Sequence, residues 1–362
     1  MGVVAAGAFV GLAAQDAVLE SQSGSVSEVI LDPGAPGFRA FTESTPTVLV
    51  AHTSAIGGEL VGASILTPAD ASIGGTVITV HSTFRTDESS PALLNLYNRG
   101  GLEEVASTLG EVIGTGFTAS LVIDGATWAS LIGDDLPLNL TVRTDLVSSQ
   151  GEVVLLGGTR EFSGEEIADI VTHQNSGEPS LGVALRHQEV WRAWVSQATS
   201  ANNSALSDID GEFAQVFAAL RSGEVSFRTI PAITMSRAVT ENTTYIADDQ
   251  AIRALFAQIV PFPSEVVPGD RPPVLLLNAS GGEVDEAPFV EAITRSGGRV
   301  TILGNATGDP QIVNRVQLHD PVGADLASMI SSALGASVPE DVPLEGATTS
   351  VTVIIGAPVA GS

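Results

Sequence analysis

The sequence predicts an α/β layered fold built in two parts. Short β-branched apolar runs alternate with stretches of helical periodicity, the pattern of layered strands and helices. A proline-rich stretch late in the chain divides that pattern. The apolar fraction of 44% against 16% charged residues supplies enough nonpolar surface for sizeable cores.

Taken in order, the first strand is read at Thr47–His52 (TVLVAH), a continuous apolar run of the kind buried on both faces. Leu60–Leu66 and Thr76–His81 follow as strands. Leu102, Val105, Leu109 and Val112 recur at spacings of three and four, so Gly101–Ile113 is read as an amphipathic helix. Thr118–Ile123, Leu138–Val142 and Val153–Leu156 are read as strands. Ser163-Gly-Glu-Glu166 has the form of a capping box ahead of Ile167, Ile170 and Val171. Helices are predicted over Leu181–Ala198 and about Ser204–Arg221, the second with Gly223 as a stop signal.

Pro261–Pro273 (PFPSEVVPGDRPP) holds five prolines and can continue neither a helix nor a central strand. It is read as a linker. Beyond it come a strand at Pro273–Asn278, a helix at Glu286–Ser296, a strand at Arg299–Leu303, a further strand within Gln311–His319, a helix at Pro321–Leu334 and a strand at Ser350–Ile355. That βαββαβ order is the split βαβ pattern, a small α+β domain. The divisions are then 1–14, 15–45 as an irregular segment, 46–260 as the large domain, 261–273 as linker and 274–357 as the small domain. Val3–Ala14 is apolar and uncharged but shorter than the roughly 20 residues that span a bilayer. It reads either as the outer end of a signal anchor or as a short buried helix.

Composition narrows function. The chain has 362 residues, 42 acidic against 15 basic groups and a formal net charge of −27. Such a surface repels phosphate backbones, so no nucleic-acid partner is expected. Without cysteine there are no disulfides, iron–sulfur sites, cysteine zinc sites or thiol nucleophiles. Every basic residue is arginine, which excludes P-loop, Schiff-base and Ser-x-x-Lys chemistry.

Certain segments resemble the LytR-CpsA-Psr family of bacterial cell-envelope proteins. Val77–Asp87 (VITVHSTFRTD) stands where that family has a strand ending in Ser-Ile-Pro-Arg-Asp. Leu94-Asn95-Leu96-Tyr97 with Gly100-Gly101 is similar to its Asn-Ala-Ala-Tyr…Gly-Gly helix entry. Phe162–Gln174 resembles Asp-Gly-x-x-Ala-Leu-x-Tyr-x-Arg, and Leu185–Trp194 resembles the Arg-x-x-Arg-Gln-Gln helix. Val274–Gly281 (VLLLNASG), Ser296–Ala306 and Val351–Gly356 look like the LytR carboxy-terminal domain that often follows. The resemblance implies an α/β/α layered domain with a central mixed sheet. It also implies a protein anchored at its amino-terminal end on the extracytoplasmic face of the bacterial cell membrane. Its partner would be a polyprenyl-linked glycan or cell-wall polymer. In the family, a glycopolymer passes from a polyprenyl-pyrophosphate carrier to peptidoglycan, with arginines and Mg²⁺-binding aspartates gripping the pyrophosphate.

Much of that grip is missing here. The family's first strand ends Gly-x-Asp-x-Arg; this one ends Ala51-His52-Thr53-Ser54. Its next strand opens Asp-Thr; this one reads Gly62-Ala63-Ser64. Arg85 persists, with the acidic neighbour displaced to Asp87; Arg186 and Gln188 persist in the later helix, and the family's Tyr-x-Arg end has become Thr172-His173. The resemblance therefore implies pyrophosphate-binding candidates Arg85, Arg186 and Gln188, a relocated acid at Asp87 or Glu88, no metal ligands in the old places and no assigned catalytic residue. Each has a plainer role: Arg85 a strand-end salt bridge with Asp87 or Glu88, and Arg186 an i,i+3 pair with Glu189. His173 and His187 stand as substitutes for lost arginines or as ordinary surface or core residues. His52 and His81 end two strands read as adjacent and are read as facing one cleft, where two histidines without a spaced carboxylate make a weak metal site, and Trp191 and Trp194 are read as core or a sugar platform. The expectation is a non-catalytic envelope protein with no cofactor. The alternative is an active, Mg²⁺-dependent glycopolymer phosphotransferase.

Overall fold

The computed structural model describes residues 30–54, 58–69, 73–132, 137–197, 211–235, 244–343 and 348–356. The apolar stretch Val3–Ala14 lies outside these, and no described helix is long and apolar enough to cross a membrane. The chain forms two compact units, one of residues 46–259 and one of 260–362 together with residues up to Thr45.

The large unit is built on a five-stranded mixed sheet. Its order is Val225–Thr229, Gly75–His81, Leu60–Pro68, Val48–Thr53, Ala119–Ile123. The two outer pairs are parallel and the two inner pairs antiparallel. All three inner strands are buried along their whole length. That is why their sequences run apolar without alternation: both faces are covered. Helices Ser180–Gln197 and Gly211–Arg221 pack on one face. Leu93–Ile113 packs against the sheet as well and carries Asp249–Ile259. The remaining strands form two hairpin-like pairs and a three-stranded sheet that includes Phe84–Arg85.

The predicted helix at 101–113 is longer, Leu93–Ile113, and kinked at Gly101, whose φ of +67° is a conformation glycine alone adopts cheaply. The capping box forms as read: Ser163 Oγ accepts from the Glu166 amide at 3.3 Å, and the Glu166 carboxylate accepts from the Ser163 amide at 3.0 Å. A short helix, Gly125–Ile132, was not read from the sequence. Its entry is fixed by Asp124, whose carboxylate accepts from the Thr127 amide at 2.8 Å.

In the small unit the strand order is Arg39–Phe41, Arg299–Asn305, Pro273–Asn278, Val351–Ile355, Arg315–Leu318, Glu340–Asp341. Helices Ala287–Arg295 and Ala324–Leu334 cover one face through Val290, Ile293, Leu326 and Ile330. Two readings are corrected. The βαβ is not split: Pro273–Asn278 pairs directly and in parallel with Arg299–Asn305, with no strand between them. Element order alone does not fix which strands pair. The stretch read as irregular, 15–45, also supplies an edge strand, Arg39–Phe41, antiparallel to Ile302–Gly304. With three residues it gives no periodicity to read.

Candidate functional site

The expected site positions gather at one end of the large sheet. His52, Gly62 and His81 fall in one row across three adjacent strands, because Gly62 is in register with His52 on one side and His81 on the other. Side chains in register share a face, and Ser64, two residues along from Gly62, shares it too. Above this row lies Ser180–Gln197. Its His187 ring sits over Gly62, where a Cβ would lie 2.8 Å from His187 Cε1 and 3.0 Å from Nδ1. Glycine at 62 is what lets the helix approach.

The polar groups of the row close on one another. His52 Nε2 lies 2.9 Å from Ser64 Oγ. Trp191 Nε1 donates to the same oxygen at 2.8 Å, and Trp128 Nε1 donates to His52 Nδ1 at 3.3 Å. His187 Nε2 donates to the Val171 carbonyl at 2.7 Å, and the His52 and His187 rings are 4.4 Å apart. These side chains are buried, within an aromatic cluster of Trp128, Trp191, Trp194, Phe213 and Phe217. Burial holds His52 well below the usual imidazole value, helped by His187, and holds His187 at about 4. His81, packed on Tyr245 at 4.2 Å between centroids, is held at about 4 by burial alone. The row is therefore neutral in the folded protein at neutral pH.

That geometry decides what the His52–Ser64 pair can do. An indole N–H only donates, so His52 Nδ1 must be the bare nitrogen. The ring proton then sits on Nε2 and is donated to Ser64. A histidine in that tautomer cannot take a proton from the serine, so the pair is not a nucleophile and its base. Trp191 and Trp194 are core, not a sugar platform: both are fully buried. Each such ring buries about 150–250 Å², on the order of 4–6 kcal/mol of burial free energy.

The arginine candidates part company. Arg186 is buried and turned inward. It pairs with Glu178, donates Nε to the Ile170 carbonyl at 3.2 Å and caps the His173 carbonyl. It thus ties off the carboxyl end of helix Gly164–Thr172, whose last carbonyls have no partner inside the helix. The surface pair with Glu189 belongs instead to Arg192. His173, half-buried, donates Nε2 to the Val147 carbonyl at 2.9 Å, and Gln188 is half-buried on the same helix as Arg186.

Arg85 is half-buried at the end of a two-residue strand and donates to the Ser90 carbonyl at 2.8 Å. No ion pair joins it to Asp87 or Glu88 among the described residues. Asp87 is exposed and closes its own turn. One carboxylate oxygen accepts from Ser89 N at 2.7 Å, Ser89 Oγ at 2.6 Å and Ser90 N at 2.8 Å. Those bonds hold its carboxyl below the usual range.

These donors do not fit a Mg²⁺ ion. Mg²⁺ takes hard oxygen ligands, usually with one or two carboxylates. At this end of the sheet stand a neutral imidazole, a glycine and a serine already accepting two hydrogen bonds. Among the described residues no group of three or more His, Asp or Glu is placed to hold a metal. Sequence reasoning found no acid in Ala51–Ser54 or Gly62–Ser64 but missed Trp128 and the approach over Gly62. A lone Trp in a short unread helix carried no signal.

No protein-family profile matches the sequence, and no curated protein does. Solved structures align with part of the chain. TagV of Bacillus subtilis is 13% identical over 59% of this chain and 96% of its own, with a TM-score of 0.47. TagT of B. subtilis is 16% identical over 65% and 93%, also at 0.47. A TagT structure described as the LytR-CPS2A-psr family protein YwtF, with bound octaprenyl pyrophosphate lipid, is 13% identical over 65% and 94%, at 0.46.

Proposed function

We propose that this chain is a bacterial cell-envelope protein whose large unit keeps a LytR-CpsA-Psr-like fold without the transfer chemistry, and binds a polyprenyl-phosphate-linked glycan or a cell-wall polymer. It would sit on the extracytoplasmic face of the membrane, held by an amino-terminal anchor. The ligand class follows from the segment resemblance; the TagT structure holds an octaprenyl pyrophosphate lipid, the carrier part of such a ligand.

One observation carries the non-catalytic part of this reading. The two strand segments in which the resemblance expects carboxylates, Ala51–Ser54 and Gly62–Ser64, hold none, and His52 and Ser64 from them close with Trp191 into a neutral, buried arrangement. A phosphoryl transfer needs positive charge aimed at oxygens that gain negative charge in the transition state. Neutral rings walled in by tryptophans supply none.

The test is a full-length chain given a polyprenyl-pyrophosphate-linked glycan and Mg²⁺. Binding is followed by native mass spectrometry, and transfer by release of polyprenyl phosphate. Binding without release is expected. Release above the protein-free blank overturns the non-catalytic reading, and absence of binding overturns the envelope-glycan reading.

A second reading is an active phosphotransferase with a rearranged site. It rests on Arg85, whose guanidinium makes one described hydrogen bond, to a carbonyl, and on Asp87 two residues along. It requires that release occur, depend on Mg²⁺ and vanish in Arg85→Ala.

A further inference from the structure

The small unit carries a cleft that the reading above does not use. It lies at the carboxyl ends of the parallel strands Pro273–Asn278 and Arg299–Asn305 and has a volume of about 740 Å³. In open α/β sheets, ligands bind in the crevice outside the carboxyl ends of the strands. Ligand pockets commonly enclose about 300–1,000 Å³. We propose that this cleft is a binding site for an organic cation, a ligand carrying a primary ammonium or guanidinium group on a short carbon chain.

Its walls are held by internal hydrogen bonds. Asn305 Nδ2 donates to the Pro33 carbonyl at 2.7 Å and the Ala35 carbonyl at 3.0 Å, fixing the arm that forms one side. Asn278 Nδ2 donates to the Gly282 carbonyl at 2.8 Å, and its Oδ1 accepts from Ser280, fixing the loop opposite. The cleft is therefore in place before a ligand arrives, which lowers the cost of binding.

The lining sets the class of ligand. Glu283, Asp285, Glu286 and Asp309 face the cleft, and no basic residue does. None of the four takes part in a described ion pair. Glu286 is pushed up by burial and by the charge of Asp285. A bound cation would relieve that repulsion. Pro33, Pro36 and Val284 offer apolar surface to a ligand's carbon chain.

Two other classes fit poorly. A phosphate at the start of helix Ala287–Arg295 would ordinarily be favoured by the helix dipole. Here Asp285 Oδ1 already accepts from the Ala287 amide at 3.1 Å, and four carboxylates repel an anion. A bare metal ion needs convergent ligands, and no described group of three or more acids or histidines is so placed.

Isothermal titration of the full chain tests this with spermidine, arginine amide, a lysine-containing tripeptide and its Nε-acetylated form, MgCl₂ and inorganic phosphate. Amide exchange locates each site. The amines should bind and protect residues 278–286 and 305–310. Acetylation should abolish tripeptide binding, while Mg²⁺ and phosphate should give no protection there. Preference for the tripeptide over spermidine would mark a peptide as the source of the amine; the reverse would mark a free polyamine. Glu283→Gln with Asp309→Asn should weaken binding about tenfold, the loss of two rim charges. Glu103→Gln with Glu111→Gln, the same charge change on an exposed helix face of the other unit, should leave it unaltered. Equal weakening by both pairs would mean diffuse attraction to an acidic chain and would overturn the proposal. So would protection of these loops by Mg²⁺ or phosphate, or the absence of any amine binding.

Discussion

The two units place polar groups at the ends of their central strands and treat them in opposite ways. In the large unit, His52, Ser64 and His187 are sealed beneath Trp128 and Trp191. In the small unit, Glu283, Asp285, Glu286 and Asp309 line an open cleft. Transfer of an unpaired charge into an apolar interior is prohibitive, so the sealed row is made of groups that can be neutral. The open cleft keeps full charges because water still reaches them. A site that must bind a charged ligand cannot be packed like a core, and this row is packed like one.

The largest effect of a single substitution should come from Arg186, the one buried arginine among the described residues. Arg186→Met strands Glu178, with 14% of its side chain exposed, and leaves two helix-end carbonyls without their donor. It should lower the unfolding free energy by about 3–5 kcal/mol, read from urea midpoints. Arg186→Met with Glu178→Gln should recover part of that loss. No loss in the single variant would mean that Arg186 is not tied inward.

Acid should open the sealed row next. His52, His81 and His187 titrate lower in the folded chain than in the unfolded one. Their neutral forms are favoured by folding, so the unfolded state binds more protons once the pH drops below about 6.5. Stability should be complete above that point and fall toward pH 4, by about 1.4 kcal/mol per pH unit for each buried histidine. Urea midpoints at pH 7.5, 6 and 5 check this, and a flat profile would show that the rings titrate alike in the folded and unfolded chain.

Gly62→Ala puts a methyl group against His187 and should cost about 1–3 kcal/mol. Adding His187→Ala to it should be less than additive, because the two changes share one space. Full additivity would mean that the ring does not rest on Gly62. The smallest effect belongs to the cleft wall. Asn305→Ala removes two hydrogen bonds to the arm and should cost about 1 kcal/mol or less each. The sign to look for is faster amide exchange at Arg39–Phe41 with the large unit unchanged.

Much of the framework was legible from residue order. Thr47–His52 and Leu60–Leu66 announced buried strands because a doubly covered strand must be apolar throughout. Ser163 and Glu166 announced a helix start because two orphan donors need two acceptors. Leu138–Val142 and Pro273–Asn278 fall where they were read. What was missed was short or non-local. The helix Gly125–Ile132 spans eight residues, too few for a periodic stripe. Strand Arg39–Phe41 exists because a partner more than 250 residues away offers an edge.

The candidate residues show the same division. Residue identity by itself settled that Ala51–Ser54 and Gly62–Ser64 hold no acid where the resemblance expects one, and that the chain has no lysine or cysteine. Only the tertiary structure decided the rest: that Arg186 faces a helix end, that Asp87 closes its own turn and that Trp128 fixes the tautomer of His52. Side-chain type travels with the sequence. Direction, partner and protonation depend on which surfaces the packed chain brings within about 3 Å of one another, the reach of a hydrogen bond.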